Sequence, residues 1–440
     1  MIDKETDMAN NNKNTIAIVT MILLFGMISF VTNLAAPVGN IWKHQPGIEG
    51  SNALGMMGNM MNFLAYLFMG IPAGRLLSRR GSKKTILIAV VAGFTGVFVQ
   101  FLSGVLGAGT TIASIPASFY IYLLGAFISG FSVCMLNTVV NPMLTLLGGE
   151  NRGNQYIQIG GTCNALMGTL TPVLVGSLIG QITKDTFISD VNPVLFIAMG
   201  VFAIAFVVLS FIPLVDPEEM RATSEKVTSP WKFRHFVLGA IAIFMYVGVE
   251  VGIPGTLNFF LADVSENGGH LAPATATAIA GFVAGTYWFM MFIGRIVGSL
   301  ISGKVSSRAQ LTTVTLVAIV LVICAIFAPV SSTVSMPVFT GSSFTVAKVP
   351  VSALLLVLCG LCTCVMWGAI FDLAVRGLGK STALASGIFM TMVVGGGILP
   401  LIQNAIADAS TYMSSYWVIV ICLVYMCWYA FAGSKPVKNK

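Results

Sequence analysis

The stretch GIPAGRLLSRRGSKK, residues 70–84, sets the organisation of this chain. It separates two long apolar runs and places five basic residues in a short turn. Lys and Arg are enriched on the cytoplasmic side of membranes, so the turn predicts which way the neighbouring spans run. Gly70 and Gly74 have the small-xxx-small spacing that lets two helices approach closely in lipid. The stretch therefore predicts a cytoplasmic gate, to which we assign Gly70, Gly74, Arg75, Arg79, Arg80 and, from the second half, Arg295.

The composition is that of a polytopic membrane protein. Of 440 residues, 56% are hydrophobic and 9% are charged, whereas soluble domains carry about 25% charged residues. The net charge of +7 comes from basic residues spread between apolar runs, so no nucleic-acid partner is expected. All eight cysteines lie inside apolar runs, where thiols usually pack as small hydrophobes. Neither a disulfide framework nor a metal site is expected, even at the closely spaced Cys359, Cys362 and Cys364.

Apolar runs predict twelve membrane-spanning helices. A bilayer core of about 30 Å needs roughly 20 apolar residues per helix, and the first run is too long for a signal-peptide core. With both termini in the cytoplasm, twenty of the 23 basic residues fall on the inner side. The protein is thus expected in the cell (inner) membrane, as a multi-pass monomer. The runs are 15–38, 53–77, 84–106, 117–147, 154–182, 192–214, 235–261, 274–301, 310–332, 349–375, 381–407 and 411–433.

The polar stretch VDPEEMRATSEKVTSPW, residues 215–231, divides the runs into two groups of six. Short motifs recur at offsets near half the chain length: Gly70 and Gly74 as Gly294 and Gly298, Leu147-Gly148 as Leu378-Gly379, and Pro172 as Pro400. Such offsets predict a duplicated six-span unit, although Gly and Pro are common in membrane helices. The predicted organisation is a cytoplasmic tail 1–14, a bundle 15–214, a linker 215–232, a bundle 233–433 and a tail 434–440.

Glu250 is the acidic residue predicted to lie deepest in the membrane. In MYVGVEVGIPG it is about fifteen residues into the seventh run, or about 22 Å from the inner surface. An ionisable group at that depth is a functional candidate by default. Burial disfavours the charged carboxylate, so Glu250 could load and release a proton, or accept hydrogen bonds from sugar hydroxyls. A purely structural role in joining helices is the alternative. Asp372 and Arg376, by contrast, have the spacing of a helical ion pair.

Amides and aromatic rings within the spans suggest a polar cavity. Asn and Gln both donate and accept, which suits vicinal sugar hydroxyls, but each could equally join helices. The amides are Asn33, Asn59, Asn62, Asn137, Asn141, Gln158, Asn164, Asn258, Gln403 and Asn404. Tyr246, Tyr287, Trp288 and Trp367 could stack on a pyranose, or simply pack. The predicted substrate-binding residues are Asn33, Asn62, Asn137, Asn141, Asn164, Tyr246, Glu250, Trp288 and Trp367, with Glu250 also the proton-coupling site.

Missing patterns narrow the function further. We expect no Lys or Arg deep in any span, which disfavours a strongly anionic substrate. The chain lacks a GxxxxGK[ST] motif for an ATP-driven pump. It also lacks H-E-x-x-H and G-x-S-x-G, so no enzyme is expected. No organic cofactor is implied, and the coupling ion would be a proton or sodium.

Several motifs resemble the fucose and glucose/galactose permease branch of the major facilitator superfamily. They are GIPAG at 70–74, NPMLTLLG at 141–148, YVGVE at 246–250, GRIVGS at 294–299 and IFDLAVRGLGKSTALASGIFMTMVVGGGILP at 370–400. The resemblance implies two pseudo-symmetric six-helix bundles and alternating-access transport of a monosaccharide, usually with protons.

The sequence departs from this family pattern at its carboxylates. Ala35 and Ala36 occupy the region of a first-span aspartate, Asn137 replaces a fourth-span glutamate, and Gly74 replaces an acidic residue. Asn164 matches a fifth-span amide of the family. The resemblance therefore supports uptake of a neutral hexose or deoxyhexose, with Glu250 as the remaining candidate for coupling. The alternatives are a carrier or exporter of another small molecule, and a membrane sugar sensor that does not translocate.

Overall fold

The computed structural model is dominated by long helices, as the apolar runs predict. It describes residues 2–34, 38, 41–42, 45, 47–48, 52–106, 109–179, 188–212, 214, 228–263, 266, 268–272, 275–341 and 343–435. The first helices are α1 (Ile2–Asn33), α2 (Asn52–Ser103), α3 (Ala117–Ile179) and α4 (Asn192–Phe211). The later long helices are α5 (Arg234–Ala262), α6 (Ala276–Ile301) and α7 (Ser307–Phe327).

The last part of the chain is built from shorter helical pieces. These are α8 (Val351–Thr363), α9 (Met366–Val375), α10 (Thr382–Thr391), α11 (Gly395–Ala409), α12 (Tyr412–Ser415) and α13 (Trp417–Trp428). A π-helical turn, Tyr429–Gly433, follows α13. The pieces pair up into spans: α8 with α9 makes one apolar stretch, Val351–Val375, and α10 with α11 makes another, Gly379–Ala407.

Two glycines explain how two of the helices each hold two spans. Gly81 in α2 has φ of 77°, and Gly149 in α3 has φ of 61°, a left-handed region that favours glycine. Each lies at a predicted turn, so the chain reverses there with few intervening residues. Ten stretches of the described chain are long and apolar enough to cross a membrane, and one, Met60–Ser103, has 44 residues. Dividing Met60–Ser103 at Gly81 adds one span to these ten, and the part of α3 after Gly149 adds another. The helices are therefore consistent with the predicted twelve spans.

Two antiparallel hairpins lie outside the helices, and the sequence analysis did not predict them. β1 (Thr111–Ile112) pairs with β2 (Ile115–Pro116), and β3 (Thr333–Phe339) pairs with β4 (Phe344–Pro350). The larger hairpin is held to α6: the Phe339 amide donates to Thr286 Oγ1 at 2.8 Å, and the rings of Phe339 and Phe289 stack at 5.0 Å. It also covers apolar side chains of its own, since Val338 and Val349 are buried.

The chain forms two compact units. Unit 1 contains residues 1–147, 166–228 and 379–391, and unit 2 contains residues 148–165, 229–378 and 392–440. Each unit therefore includes one short segment from the other half of the sequence. These segments begin at Gly148 and Gly379, the glycines of the two Leu-Gly motifs that recur along the chain. In each half of the sequence, the Leu-Gly motif thus lies where the chain passes from one unit to the other.

In unit 1, the segment 379–391 packs closely on α2. A Cβ added to Gly74 would lie 3.0 Å from the Ala383 oxygen, and one added to Gly387 would lie 2.7 Å from Gly74 Cα. A Cβ on Gly70 would meet the Thr391 backbone nitrogen at 2.6 Å. Ser386 Oγ adds a hydrogen bond of 2.7 Å to the Thr138 oxygen. The backbone approach predicted for Gly70 and Gly74 is therefore present, with the helix that carries Gly387 as the partner.

Replacing Gly387 with Ala should destabilise the protein because the new methyl group meets backbone atoms that cannot move aside. Overpacking of this kind costs about 1–3 kcal/mol. Gly200 in α4 is the matched control, since a Cβ there meets no atom within 4 Å and alanine raises helix propensity. Thermal unfolding in detergent should show a lower midpoint for Gly387→Ala and an unchanged or higher one for Gly200→Ala. Equal midpoints would contradict the close approach.

Candidate functional site

Glu250 lies within α5, sixteen residues after Arg234, which is about 24 Å along the helix. Its side chain is 16% exposed. The Tyr246 hydroxyl, one turn earlier on α5, donates to Glu250 Oε1 at 2.8 Å. Among the described residues no hydrogen bond reaches Glu250 Oε2, so one oxygen can accept from a ligand. The structure thus keeps this carboxylate deep along its helix and partly exposed.

Arg295 of α6 is the charged partner of Glu250. Its Nη2 lies 3.4 Å from Glu250 Oε1, and its Nη1 donates to the Gly161 oxygen at 2.9 Å. The side chain is 12% exposed, and its buried Nε has no hydrogen-bond partner in the described structure. The expectation that no Lys or Arg lies deep in a span was therefore wrong. Arg295 was assigned to the inner helix end by position, but its long side chain reaches along the bundle to the acid.

Aromatic residues of unit 2 lie near this ion pair, beginning with Tyr246, which binds Glu250. The rings of Tyr246 and Trp367 meet edge to face at 6.1 Å, and the Tyr287 hydroxyl is 3.0 Å from Thr363 Oγ1. Trp288 is two turns before Arg295 on α6, so the two share a helix face, and Trp288 is 44% exposed. The predicted residues Tyr246, Glu250, Trp288 and Trp367 therefore lie on three helices of unit 2: α5, α6, which also carries Arg295, and α9.

The segment 148–165 is bound to the helices of unit 2 by amides. Gln158 Nε2 donates to the Val365 oxygen at 3.1 Å and to Asn154 Oδ1 at 3.3 Å. Asn154 Nδ2 donates to Gln310 Oε1 at 3.3 Å. Side chains four residues apart share a helix face, so these contacts continue along the segment to Gly161 and Arg295. Asn164, predicted to bind substrate, follows on the same segment.

A second polar cluster lies in unit 1. Asn137 Nδ2 donates to the Tyr66 hydroxyl at 2.9 Å, and Asn141 Nδ2 donates to the Asn137 backbone oxygen at 2.8 Å. Asn62, one turn before Tyr66, is buried, and its Oδ1 has no hydrogen-bond partner in the described structure. Of the predicted binding residues, Asn137 thus binds both Asn141 and Tyr66, which the sequence analysis did not single out.

Other amides of the spans join helices. Thr256 Oγ1 lies 3.4 Å from Asn404 Oδ1, and Asn404 Nδ2 donates to the Pro400 oxygen. Gln403 is fully buried, without a partner among the described residues. The side chains of Asn33 and Asn59, and residues Ala35 and Ala36, lie outside what the structure describes. The Asn404 contact thus represents the helix-joining role that the sequence left open for amides, and the substrate-binding role stays a prediction.

The basic turn of α2 contains one residue that the gate prediction omitted. Arg75, Arg79 and Arg80 are exposed, whereas Lys83 Nζ donates to the Ser210 oxygen at 2.8 Å and the Ile212 oxygen at 3.0 Å. Lys83 thus binds free carbonyl groups at the end of α4, where a cation is favourable. Its position in a basic cluster gave no sign of this role.

The predicted ion pair between Asp372 and Arg376 is confirmed. Arg376 Nη2 lies 2.7 Å from Asp372 Oδ2, which also accepts a hydrogen bond from Ser307 Oγ at 2.7 Å. This pair connects α9 to the start of α7. No group of three potential metal ligands occurs in the described part of the chain, which includes the three closely spaced cysteines.

The sequence and the fold now identify the family. Residues 16–401 match the model of the Major Facilitator Superfamily. The chain belongs to this superfamily of membrane transporters. It is a multi-pass membrane protein with the major facilitator fold, and it is not an enzyme.

Two curated relatives and one solved structure are similar to this transporter. A "Glucose/galactose transporter" of Brucella abortus is 29% identical over 438 residues, which cover 98% of this chain and 97% of the relative. The "L-fucose-proton symporter" of Escherichia coli K12 is 23% identical over 374 residues, 79% and 77% of the two chains. The crystal structure of the transporter FucP in the outward conformation has a TM-score of 0.76 and 18% identity, with 95% of this chain and all of FucP covered.

A double-mutant cycle should show that Glu250 and Arg295 stabilise one another. Removing one partner leaves the other charge without compensation in a mostly buried place. Glu250→Gln and Arg295→Gln should each lower the unfolding midpoint, and the double variant should lose less than the sum. The coupling expected for such neighbours is about 0.5–3 kcal/mol. Lys304→Gln, an exposed basic residue just after α6, is the control. Additive effects would refute the pairing.

Proposed function

We propose that this transporter takes up a neutral monosaccharide of the hexose or deoxyhexose type by alternating access, coupled to protons at Glu250. The observation that carries the proposal is the Glu250 carboxylate. It lies about 24 Å along α5, accepts the Tyr246 hydroxyl and is partly exposed. A carboxylate in this position can exchange a proton and bind hydroxyl groups.

The charge balance of the site supports a neutral substrate. Arg295 compensates Glu250, so the pair presents little net charge to a ligand. An anionic substrate would have to compete with Glu250 for the guanidinium. Anionic substrates are thus disfavoured because Arg295 is already paired with Glu250, and not because the spans lack a basic residue.

Rings and amides near the pair suit a sugar. Trp367 and the half-exposed Trp288 offer ring faces that can cover the apolar side of a pyranose. Asn164, on the segment that Arg295 binds, offers a donor and an acceptor for hydroxyl groups. Within unit 1, Asn62, Asn137 and Asn141 offer the same groups, and we propose that they also bind the sugar. The names of the relatives favour the same class: one is a glucose/galactose transporter and another is an L-fucose-proton symporter.

Proton coupling is favoured over sodium coupling. The fucose relative is named a proton symporter, and Glu250 accepts hydrogen bonds from donors. The basic turns further favour the cell inner membrane with both termini in the cytoplasm. We propose that the chain acts there as a monomer in the lipid bilayer.

Replacing Glu250 with Gln should abolish accumulation of sugar against its gradient while leaving exchange partly intact. Glutamine keeps a hydrogen-bonding side chain but cannot carry a proton. Uptake and exchange would be measured in proteoliposomes with and without an imposed proton gradient. Glu266→Gln, which alters an exposed loop carboxylate, should behave like the unchanged protein. Unchanged accumulation by Glu250→Gln would remove this residue from coupling.

A counterflow assay over a panel of sugars tests the substrate class. Proteoliposomes preloaded with one unlabelled sugar should take up the same labelled sugar transiently, because exchange needs no net proton flux. Hexoses and deoxyhexoses should support counterflow, and the matching uronic acids should not, because their carboxylate competes with Glu250 for Arg295. Counterflow by uronic acids but not by neutral sugars would overturn the proposed class.

A further inference from the structure

We propose that Arg295 is a positioning residue that links the charge of Glu250 to the attachment of the segment 148–165. The inference rests on the proposed function in one respect: it requires that Glu250 gains a proton during transport. It goes further because it names the residue through which that proton acts and the part of the chain that responds.

The guanidinium of Arg295 holds two elements at once. Nη2 faces Glu250 Oε1 on α5 at 3.4 Å, and Nη1 donates to the Gly161 oxygen on the segment at 2.9 Å. A Cβ added to Gly161 would lie 3.5 Å from Arg295 Cδ, so glycine lets the side chain pass close to the helix backbone. One planar cation therefore joins α5, α6 and the segment.

Protonation of Glu250 would remove the negative charge that compensates Arg295. A buried guanidinium without a counter-charge is costly, and here its Nε already lacks a partner in the described structure. The favourable response is for the guanidinium to move toward water or toward a bound ligand. Because the same group donates to Gly161, that movement breaks its bond to the segment.

Two further hydrogen bonds between the segment and the helices of unit 2 join neutral groups. Gln158 donates to the Val365 oxygen at 3.1 Å, and Asn154 donates to Gln310 at 3.3 Å. Hydrogen bonds between neutral groups contribute about half as much as charge-assisted ones. Of these three hydrogen bonds, loss of the Arg295 bond thus removes the charge-assisted one and leaves two amide bonds.

Other ionisable groups near the pair do not offer the same link. Glu250 and Arg295 are surrounded by tyrosines and thiols that are neutral at ordinary pH. Asp372 is already bound to Arg376 and Ser307, and Arg152 is exposed. The titratable and charged groups on the packed elements include Arg234, His235, Tyr246, Tyr287, Arg308, Cys324, Cys359, Cys362, Cys364, Asp372, Arg376, Tyr412, Tyr416, Cys422, Tyr425, Cys427 and Tyr429, with Arg152, Tyr156 and Cys163 on the segment.

The segment 379–391 provides an internal comparison. Its attachment in unit 1 rests on close glycine packing and on the Ser386 bond to the Thr138 oxygen. Protonation of Glu250 does not change these contacts. The proposal therefore predicts that protonation of Glu250 weakens the attachment of segment 148–165 and leaves that of segment 379–391 unchanged.

Hydrogen–deuterium exchange of the full chain in lipid nanodiscs tests the proposal without any sugar. Glu250→Gln and Arg295→Gln should each raise amide exchange in residues 148–165 by about tenfold, which corresponds to about 1.4 kcal/mol. The double variant should show no further rise, because both changes break one link. In the unchanged protein, exchange in this segment, corrected for the intrinsic rate, should rise as pH falls, and in Glu250→Gln it should not.

The controls separate this outcome from misfolding and from failure of the proposed function. Residues 379–391 should keep their exchange rates in every variant, and Lys304→Gln should match the unchanged protein. Arg295→Lys should restore part of the protection, since it keeps the charge. Unchanged exchange in 148–165, or additive effects in the double variant, would overturn the link. If the unchanged protein transports no sugar but amide exchange changes as predicted, only the proposed substrate is refuted.

Discussion

A charged group in a membrane-spanning bundle needs an opposite charge, and in this protein Glu250 and Arg295 meet that need for each other. The contact brings together two spans and, through the Gly161 carbonyl, the segment 148–165. Two aromatic residues of the candidate site lie on the same helices, Tyr246 on α5 and Trp288 on α6, and Trp367 of α9 contacts Tyr246. Without the pair, each of these mostly buried charges would be left without compensation.

The two short segments that change units are attached by different chemistry. Residues 379–391 approach α2 through Gly70, Gly74 and Gly387, where the absence of side chains allows backbone contact. Residues 148–165 are attached by amide hydrogen bonds and by one cation. Packing of small residues is indifferent to protonation, whereas a bond to a guanidinium depends on the charge of its partner. A duplicated architecture can therefore carry unequal functions in its halves.

Much of the fold followed from the sequence because membrane spans are constrained by length and polarity. The basic turn at residues 78–84 and the glycine pair before it predicted a reversal and a close helix contact, and both are present. The Asp372 and Arg376 pair followed from helical spacing. The hairpin of β3 and β4 was missed because Thr333–Pro350 adjoins apolar spans, and its pairing depends on contacts with α6. Lys83 was missed because its acceptors lie on another helix.

The sequence by itself determined that this chain crosses a membrane many times, that it resembles sugar permeases, and that Glu250 is the acid most in need of explanation. These conclusions depend on hydropathy, spacing and local motifs, which are properties of short stretches. Only the tertiary structure decided that Arg295 compensates Glu250, that Tyr66 binds Asn137, and that the Gly161 carbonyl accepts a hydrogen bond from the guanidinium. The partners are separated by 45, 71 and 134 residues, and contacts over such distances arise from helix packing rather than from any local pattern.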